Sequence, residues 1–135
     1  MAEMFLVEIV SPSKLLLSEE VEEVTAPGTE GEFGVLAGHT PMLTSLKAGK
    51  LSYRKGGKSE SMAISRGYAE VLPDKTTILV DDAVTPDEIR VDEAREMLTR
   101  ANEEMGGLES NDPKYEIARG RAEYAEAQIG VTEGR

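Results

Sequence analysis

The apolar pattern of this 135-residue chain changes once, at Thr85. Before that residue, apolar and polar side chains alternate in short runs that begin at Phe5, and a period near two is typical of β-strands. After it, apolar residues recur at steps of three and four, which is typical of one face of a helix. We therefore predict an α+β fold, mainly β, with residues 1–84 as one module and residues 85–135 as a second.

Short strand-like runs fill the first module, and two of their connections are clear turns. Gly56-Gly57 separates two runs by two residues, which is a strong hairpin signal, and Pro73-Asp74-Lys75 separates two more. Strands at such spacings predict an antiparallel β-sandwich or a flattened barrel. The predicted strands are Phe5–Val10, Lys14–Leu17, Val21–Thr25, Gly49–Lys55, Lys58–Ser65, Gly67–Leu72 and Thr76–Val80.

The stretch from Thr25 to Pro41 holds four glycines, two prolines and the chain's only histidine, His39. Glycine takes positive φ at little cost, whereas proline fixes φ and removes a hydrogen-bond donor. This spacing predicts a surface loop with one fixed shape. Its histidine either caps a turn beside Pro41 or makes an oriented hydrogen bond to a partner through a neutral imidazole. The fixed loop favours the second interpretation.

Two helices are predicted in the second module. Thr85-Pro86-Asp87-Glu88 has the residues of a capping box with proline at the first helical position, and it predicts the start of the first helix. Gly106-Gly107 ends that helix, and Asn111-Asp112-Pro113 starts the next. Two narrow apolar seams joined by a short loop predict an antiparallel helix hairpin. The seams are Val91, Ala94, Leu98, Ala101 and Met105, then Tyr115, Ala118, Ala122, Ala125 and Ile129.

The hairpin is predicted to be the less stable module. Its alanines bury little apolar area, and Gly120 inside the second helix costs about 1 kcal/mol relative to alanine. Isolated helices of this length are marginal in water. The hairpin therefore either detaches, unfolds or extends, or it packs permanently on the sandwich, and the sequence leaves both alternatives open.

Composition disfavours several classes of function. The formal net charge of −11 argues against nucleic-acid binding, because phosphate contacts need clustered lysine and arginine. The chain has no cysteine for disulfide or thiolate chemistry. No apolar run approaches the roughly 20 residues needed to cross a bilayer, so membrane association is expected through a protein partner. The sequence lacks a nucleophile elbow, a P-loop and a triad, which predicts a non-enzymatic role without catalytic residues, metal or cofactor.

Several runs, taken in order, are similar to one known family. They are Gly31-Glu-Phe-Gly-Val-Leu-Ala-Gly-His-Thr-Pro41 with Leu43 and Leu46, then Gly49-Lys-Leu, Ile64-Ser-Arg-Gly-Tyr-Ala-Glu-Val, Thr77-Ile-Leu-Val-Asp-Asp-Ala and Val91-Asp-Glu-Ala-Arg95. Together they cover essentially the whole chain and resemble the epsilon subunit of bacterial F-type ATP synthases, which is called delta in mitochondria. The first run is highly specific, whereas the last would be weak alone.

The resemblance implies an N-terminal antiparallel β-sandwich of about ten strands followed by a C-terminal antiparallel two-helix hairpin. It implies a non-catalytic central-stalk subunit that couples rotation of the c-ring and shaft to ATP synthesis in a proton- or sodium-translocating motor. The expected partners are the gamma shaft subunit, the c-subunit ring and the alpha/beta catalytic head, whose ATP hydrolysis an extended hairpin would inhibit. The expected location is the cytoplasmic face of the bacterial plasma (inner) membrane, as a peripheral part of the complex.

The same resemblance assigns residues that contact partners. His39, Thr40 and Pro41 fall in the family's shaft-facing loop, and Gly31 and Glu32 fall near the polar loop of the c-ring. A rigid loop suits torque transmission, because a soft contact would stretch or slip under load.

Some family members bind ATP on the folded hairpin, which implies Asp92 and Arg95 as candidate nucleotide ligands. Here Glu96 replaces the alanine of that motif, and Tyr124 and Gln128 stand where its second-helix arginines align. Arg95 either pairs with phosphate or forms an i, i+3 salt bridge with Asp92. ATP is therefore expected at most as a weak regulatory ligand.

Two further functions stay open beside the coupling role. One is a nucleotide sensor, in which ATP binding to the hairpin sets activity. The other is an unrelated small-ligand or sugar-binding β-sandwich, which is disfavoured because the chain has no tryptophan and only two phenylalanines to stack on a sugar.

Overall fold

The computed structural model describes residues 3–134, which form ten β-strands, a single 3₁₀ turn and two α-helices. The mainly β fold followed by two helices confirms the predicted class. The strands are β1 Phe5–Val10, β2 Leu15–Val21, β3 Glu23–Gly28, β4 Gly31–Leu36, β5 Met42–Leu46, β6 Gly49–Lys55, β7 Lys58–Ile64, β8 Gly67–Leu72, β9 Lys75–Val80 and β10 Ala83–Val84. The helices are α1 Val91–Gly106 and α2 Pro113–Thr132, and the 3₁₀ turn is Pro86–Glu88.

The strands form one continuous sheet that folds over on itself. Its order is β10-β7-β6-β3-β5-β8-β9-β1-β2, with β4 paired to β3 alone. The pairs are antiparallel, as predicted, except that β1 and β9 run parallel. The Glu22 N–H donates to the Arg54 carbonyl at 2.8 Å, and Lys55 pairs with Glu19 at 2.6 Å. These contacts draw β2 against β6 and close the two layers into a sandwich.

The interior between the two layers is almost entirely aliphatic. Phe5, Val7 and Ile9 show how the strand period builds it, because all three point inward and none is more than 2% exposed. Burial of such side chains stabilises a fold by about 1.5–3 kcal/mol each. The core continues through Val21, Val24, Ala26, Val35, Leu46, Leu51, Met62, Ile64, Ala69, Val71, Ile78 and Val80.

The stretch predicted as one loop, from Thr25 to Pro41, is mostly a hairpin of strands β3 and β4. The two strands pair along their full length, from Glu23 opposite Leu36 to Gly28 opposite Gly31. Residues 29–30 form the turn of this hairpin, and residues 37–41 remain a loop before β5. The prediction was wrong because glycine and proline erase the side-chain alternation that identifies a strand, while pairing with β4 still satisfies the backbone.

The first helix begins later than predicted. The capping box at Thr85 is present, but it closes only the 3₁₀ turn, and Ile89 and Arg90 are extended before α1 starts at Val91. That turn packs against α2 and β7, so tertiary contacts override its local signal. The Gly106-Gly107 stop and the second start at Pro113 are confirmed.

Helix α2 lies between α1 and the outer face of β6 and β7. The predicted seams do meet at the α1–α2 contact, where Ala94, Ala101, Ala118, Ala122 and Ala125 are buried. A second buried side of α2, which the seam pattern missed, includes Gln128 and Val131. Neither α1 nor α2 combines the length and the hydropathy that a membrane-crossing helix requires, across residues 3–134.

Candidate partner-binding surfaces

The loop at residues 37–41 is held in one conformation by backbone hydrogen bonds. Gly38 adopts φ +81°, a left-handed conformation that favours glycine. Its N–H donates to the Pro73 carbonyl at 2.7 Å, which ties the loop to the turn between β8 and β9. The His39 N–H donates to the Leu36 carbonyl at 3.2 Å. A glycine-specific turn and a long-range anchor together give the loop its shape.

The half-buried ring of His39 is oriented by its neighbour. Its Nδ1 lies 2.7 Å from the carbonyl oxygen of Thr40, so Nδ1–H is the donor in the neutral ring. Nε2 is then left as a hydrogen-bond acceptor for another group. The turn-capping role and the partner-binding role considered for this histidine therefore use different ring nitrogens and are compatible.

The face of the sheet beside this loop carries exposed apolar side chains. Leu43, the second residue of β5, is 73% exposed. Leu36 at the end of β4 and Leu72 at the end of β8 are exposed as well. Large apolar side chains grouped on a monomer surface mark an interaction site more often than single ones do.

A row of four apolar side chains crosses the same outer face. Leu15 of β2 stands opposite Val10 of β1, and Leu79 of β9 stands opposite Tyr68 of β8. Val10 also aligns with Leu79, so the four residues form one continuous line across four strands, which we call the apolar row. Leu15, Tyr68 and Leu79 are 54%, 59% and 46% exposed.

Sequence reasoning missed the apolar row as a functional candidate. One signal was available, because Ile78, Leu79 and Val80 are consecutive apolar residues that break the expected alternation. In a strand with one solvated face, such a run exposes its middle residue. The partners of Leu79 on neighbouring strands could not be identified without the register.

Gly31 and Glu32, predicted for a different partner, lie at the start of β4, and both are exposed. Gly31 has φ +134°, a backbone conformation that L side chains rarely adopt. The six residues of β4 separate this end from the His39 loop, a span of roughly 20 Å at about 3.3 Å per residue. The two predicted contact sites therefore sit at opposite ends of one strand.

Glu32 also lines an open groove between the sandwich and the hairpin. The groove has a volume of about 760 Å³, and both cationic and anionic side chains line it. Four cationic side chains reach it, from β6 and its preceding loop and from both helices: Lys47, Lys50, Arg95 and Arg119. The acidic side chains are Glu32, Glu123 and Glu126. The groove therefore joins opposite charges from both modules.

Asp92 and Arg95, the candidate nucleotide ligands, do not line one cavity. Arg95 faces the groove, whereas Asp92 lines a separate pocket with Arg90 and Glu93. Arg95 pairs across the hairpin with Glu133, with 3.4 Å between Nη2 and Oε2. The interpretation as an i, i+3 pair is therefore replaced by a contact between α1 and the end of α2.

The strongest polar contact between the modules is made by Arg66, which follows β7. Its guanidinium binds both carboxylate oxygens of Glu123 on α2, at 3.0 and 3.1 Å, and also reaches Glu116. These hydrogen bonds, with those to Glu123 the largest cause, raise the pKa of Arg66. The hydrogen bond from Arg66 is likewise the main reason that the pKa of Glu116 falls below its usual value.

Tyr124 of α2 is half-buried near Asp82 and Glu88. Burial is the main cause that raises its pKa to about 12, and the nearby carboxylates of Asp82 and Glu88 add to the effect. A phenol with this pKa is uncharged at neutral pH. Within residues 3–134, no three histidine, cysteine, aspartate or glutamate side chains are grouped to hold a metal ion.

Comparisons with known proteins agree with the resemblance. Residues 4–86 match the family described as the ATP synthase delta/epsilon chain, β-sandwich domain. An ATP synthase epsilon chain from Citrifermentans bemidjiense is 49% identical over 131 residues, covering 97% of this chain and 95% of that protein. One from Magnetococcus marinus is 41% identical over 127 residues, covering 94% and 93%.

Two solved structures resemble the whole chain. A chain of the Euglena gracilis mitochondrial ATP synthase, solved with OSCP, F1 and the c-ring, has a TM-score of 0.75 and 27% identity over 94% of this chain and 80% of its own. A chain of the Tetrahymena thermophila mitochondrial ATP synthase central stalk and c-ring has a TM-score of 0.63 at 18% identity, covering 97% and 98%. The second likeness supports the fold alone.

Proposed function

The chain belongs to the ATP synthase delta/epsilon chain family, and on that basis we propose that it is the epsilon-type subunit of the central stalk in an F-type ATP synthase. It is a non-catalytic subunit. Its role is to couple rotation of the c-ring and shaft to ATP synthesis, driven by protons or sodium ions. Its partners hold it peripherally at the membrane, which in a bacterium is the cytoplasmic face of the plasma membrane.

The observation that carries this proposal is the outward sheet face that holds Leu43 and the apolar row. Leu43, Tyr68 and Leu79 expose apolar surface on a sheet face that α2 does not cover. Leaving such side chains in water is unfavourable, and a partner subunit would bury them. We assign this face to the gamma shaft subunit, because a broad apolar contact on a rigid sheet resists shear under torque.

The His39 loop adds an oriented hydrogen-bond acceptor to that contact. An imidazole held by Thr40 offers Nε2 as an acceptor at a defined position. Thr40 and Pro41 continue from it to the start of β5 and Leu43. We propose that His39, Thr40 and Pro41 meet the shaft subunit beside Leu43, on the sheet face that also carries the apolar row.

The opposite end of β4 is proposed to meet the c-subunit ring. Gly31 and Glu32 are exposed there, about one strand length from the His39 loop. A carboxylate at this end suits a polar or basic loop of the partner. A separation of about one strand length between the two ends of β4 is compatible with two different partners.

The hairpin is proposed as the regulatory module, residues 85–135. Its contact with the sandwich is made mainly through one helix, α2, whereas α1 packs mainly on α2. Such a contact favours a small free-energy difference between folded and extended positions, which partners can shift. In the extended position the hairpin would contact the alpha/beta head and inhibit ATP hydrolysis.

Co-elution with the gamma subunit tests the coupling role. The full chain is expected to bind gamma, and Tyr68→Glu or Leu79→Glu is expected to weaken binding at least about tenfold by placing a charge in a buried contact. Ile117→Glu is the matched control, because Ile117 is 58% exposed but lies on α2. No binding by the full chain, or equal losses in all three variants, would contradict the assignment.

A separate assay tests whether the hairpin inhibits ATP hydrolysis, a role that we call the brake. ATP hydrolysis is measured with a catalytic head complex stripped of this subunit, after adding back the full chain or residues 1–84. Inhibition by the full chain that the fragment does not reproduce supports a regulatory hairpin. Equal activity with both would leave the coupling role and reject the brake.

A nucleotide-sensing role is the second candidate, favoured by the cationic side chains in the groove. Arg95, Arg119 and Lys50 converge there from three elements. Arginine and lysine bind phosphate well when they converge, although Glu123 and Glu126 lie in the same groove. Calorimetry with Mg-ATP at millimolar concentration is expected to give weak heat that Arg95→Gln abolishes. No heat and no thermal shift would reject sensing.

A further inference from the structure

Arg66 is held at a fixed place on the sandwich by the residues on either side of it. The Ser65 hydroxyl accepts hydrogen bonds from the N–H groups of Asp81 and Asp82, at 3.2 and 2.9 Å. The Ser65 N–H donates to the Asp82 carbonyl at 3.0 Å. On the other side, Gly67 packs directly against the Leu79 carbonyl. The backbone segment that carries the Arg66 side chain therefore has little freedom to move.

The guanidinium of Arg66 makes four hydrogen bonds to helix α2. Nε and Nη2 donate to the two carboxylate oxygens of Glu123, which is the bidentate arrangement that arginine favours. Nη1 donates to the backbone carbonyl and to a carboxylate oxygen of Glu116, both at 3.1 Å. Contacts to two glutamates seven positions apart span two turns of the helix. One side chain thus fixes the rotation and the axial position of α2.

Gly120 allows this approach. It lies between Glu116 and Glu123 on the same helix face, since spacings of three and four residues repeat on a helix. A Cβ at Gly120 would lie 3.3 Å from Arg66 Nε and 3.4 Å from Cδ. The first distance is tighter than most real Cβ contacts and the second borders on ordinary contact, so a Cβ at this position would displace the guanidinium by a few tenths of an ångström. Gly120, which lowers the helix propensity of α2, is therefore the position against which the Arg66 side chain packs.

We propose that Arg66, Gly120, Glu116 and Glu123 form a clamp that holds the hairpin in its folded position on the sandwich, and that the clamp sets how readily the hairpin is released. This inference rests on the proposed function, in which the hairpin leaves the sandwich to act as a brake. Release exposes a cation on the sandwich and two carboxylates on α2. Arg119 also pairs with Glu116 and Glu123, so the two carboxylates keep one cationic partner on α2 after release.

Energy transfer within the chain tests the clamp. The chain has no cysteine, so exposed Ser18 and Ser110 can be changed to cysteine and labelled with a donor and an acceptor dye. Arg66→Gln is expected to raise the ratio of open to closed hairpin about tenfold, since it removes charge-assisted bidentate bonds. Arg66→Lys is expected to give an intermediate ratio, because it keeps the charge and loses the fork.

Arg54→Gln is the matched control. Arg54 is 40% exposed beside 36% for Arg66, and it pairs with Glu22 and Glu23 inside the sandwich. It is expected to leave energy transfer unchanged. Circular dichroism of each variant verifies that the sandwich stays folded. If Arg66→Gln fails to fold, Glu123→Gln gives the same readout from the hairpin side.

The outcomes separate the clamp from the proposed function. Unchanged transfer in Arg66→Gln and Glu123→Gln, or an equal change in Arg54→Gln, overturns the clamp and leaves the stalk assignment intact. Opening of the isolated chain confirms the clamp. The same variants added to the catalytic head complex then report on inhibition: opening without any change in ATP hydrolysis rejects the brake and keeps the clamp.

Discussion

Gly67 packs so closely against Leu79 that a Cβ atom at Gly67 would lie 1.8 Å from the Leu79 carbonyl oxygen. No side chain fits there without parting β8 from β9. We expect Gly67→Ala to lower the free energy of unfolding by about 3 kcal/mol, at the upper end of overpacking effects. Urea denaturation measures it. Gly34→Ala, where the nearest atom is 3.8 Å away, is the control and is expected to cost far less. Equal losses would contradict the close packing.

Gly120→Ala should have opposing effects that a double-mutant cycle resolves. Alanine favours a helix interior by about 1 kcal/mol over glycine, but here its Cβ crowds Arg66. We expect little net gain in the natural background and the full gain in an Arg66→Ala background. Thermal unfolding of the four chains gives the coupling energy. Additive effects would show that Arg66 does not need the glycine.

Acid should loosen the hairpin before it unfolds the sandwich. Hydrogen bonds from Arg66, and secondarily from Arg119, hold the pKa of Glu116 below its usual 4.5. The stability from this group is therefore fully present above pH 4.5 and is lost as the pH falls through the lower folded pKa. Hydrogen exchange of α2 amides is expected to accelerate in that window. Glu116→Gln should reduce this pH dependence, and an unaltered profile would contradict it.

Alkali should act on the hairpin through a different residue. The pKa of Tyr124 is raised to about 12, mainly by burial. A raised pKa means that its contribution to stability is present below pH 10 and is lost as the pH rises towards 12. The pKa of Tyr53 is also raised, mainly by burial, so the step of Tyr124 is expected as the last one in tyrosinate absorbance. Tyr124→Phe should remove that step and keep the hairpin docked at higher pH, whereas persistence of the step would contradict the assignment.

His39→Ala should weaken binding to the gamma subunit about fivefold to thirtyfold, the loss of one oriented hydrogen bond and some packing. The sandwich should stay folded, because the loop is also held by Gly38 and Pro73. Surface plasmon resonance with gamma measures the affinity. His39→Gln retains an acceptor and is expected to recover part of it. Unchanged affinity in His39→Ala would leave the histidine with its turn-capping role alone.

Much of the fold could be predicted from local patterns. The Gly56-Gly57 turn and its flanking strands were located to within a residue, because a two-residue hairpin depends on the backbone of those residues alone. The helical seams were also correct, since they follow from helix geometry. The capping box at Thr85 was located correctly, but it begins a 3₁₀ turn and not the first α-helix, which begins at Val91. Whether a cap starts a long helix depends on what packs against the first turn.

The functional surfaces were less predictable. Gly31 and His39 looked like parts of one loop, yet pairing of β4 with β3 sends them to opposite ends of a strand. The sequence gives a signal for Leu79 alone and not for the apolar row, because Leu15 and Leu79 are aligned only through the register of β2, β1 and β9. The role of Arg66 was hidden for the same reason. Its partners on α2 are 50 and 57 residues away.

By itself, the sequence determined the mainly β fold with two C-terminal helices, most element types and the membership of a family. Those properties depend on periodicity, caps and turns, which act over a few residues. Only the tertiary structure decided which sheet face stays exposed, that Gly31 and His39 lie at opposite ends of β4, and why a glycine, Gly120, stands inside α2. Each of these depends on distant residues brought together by packing, where one shift of register would exchange the buried face for the exposed one.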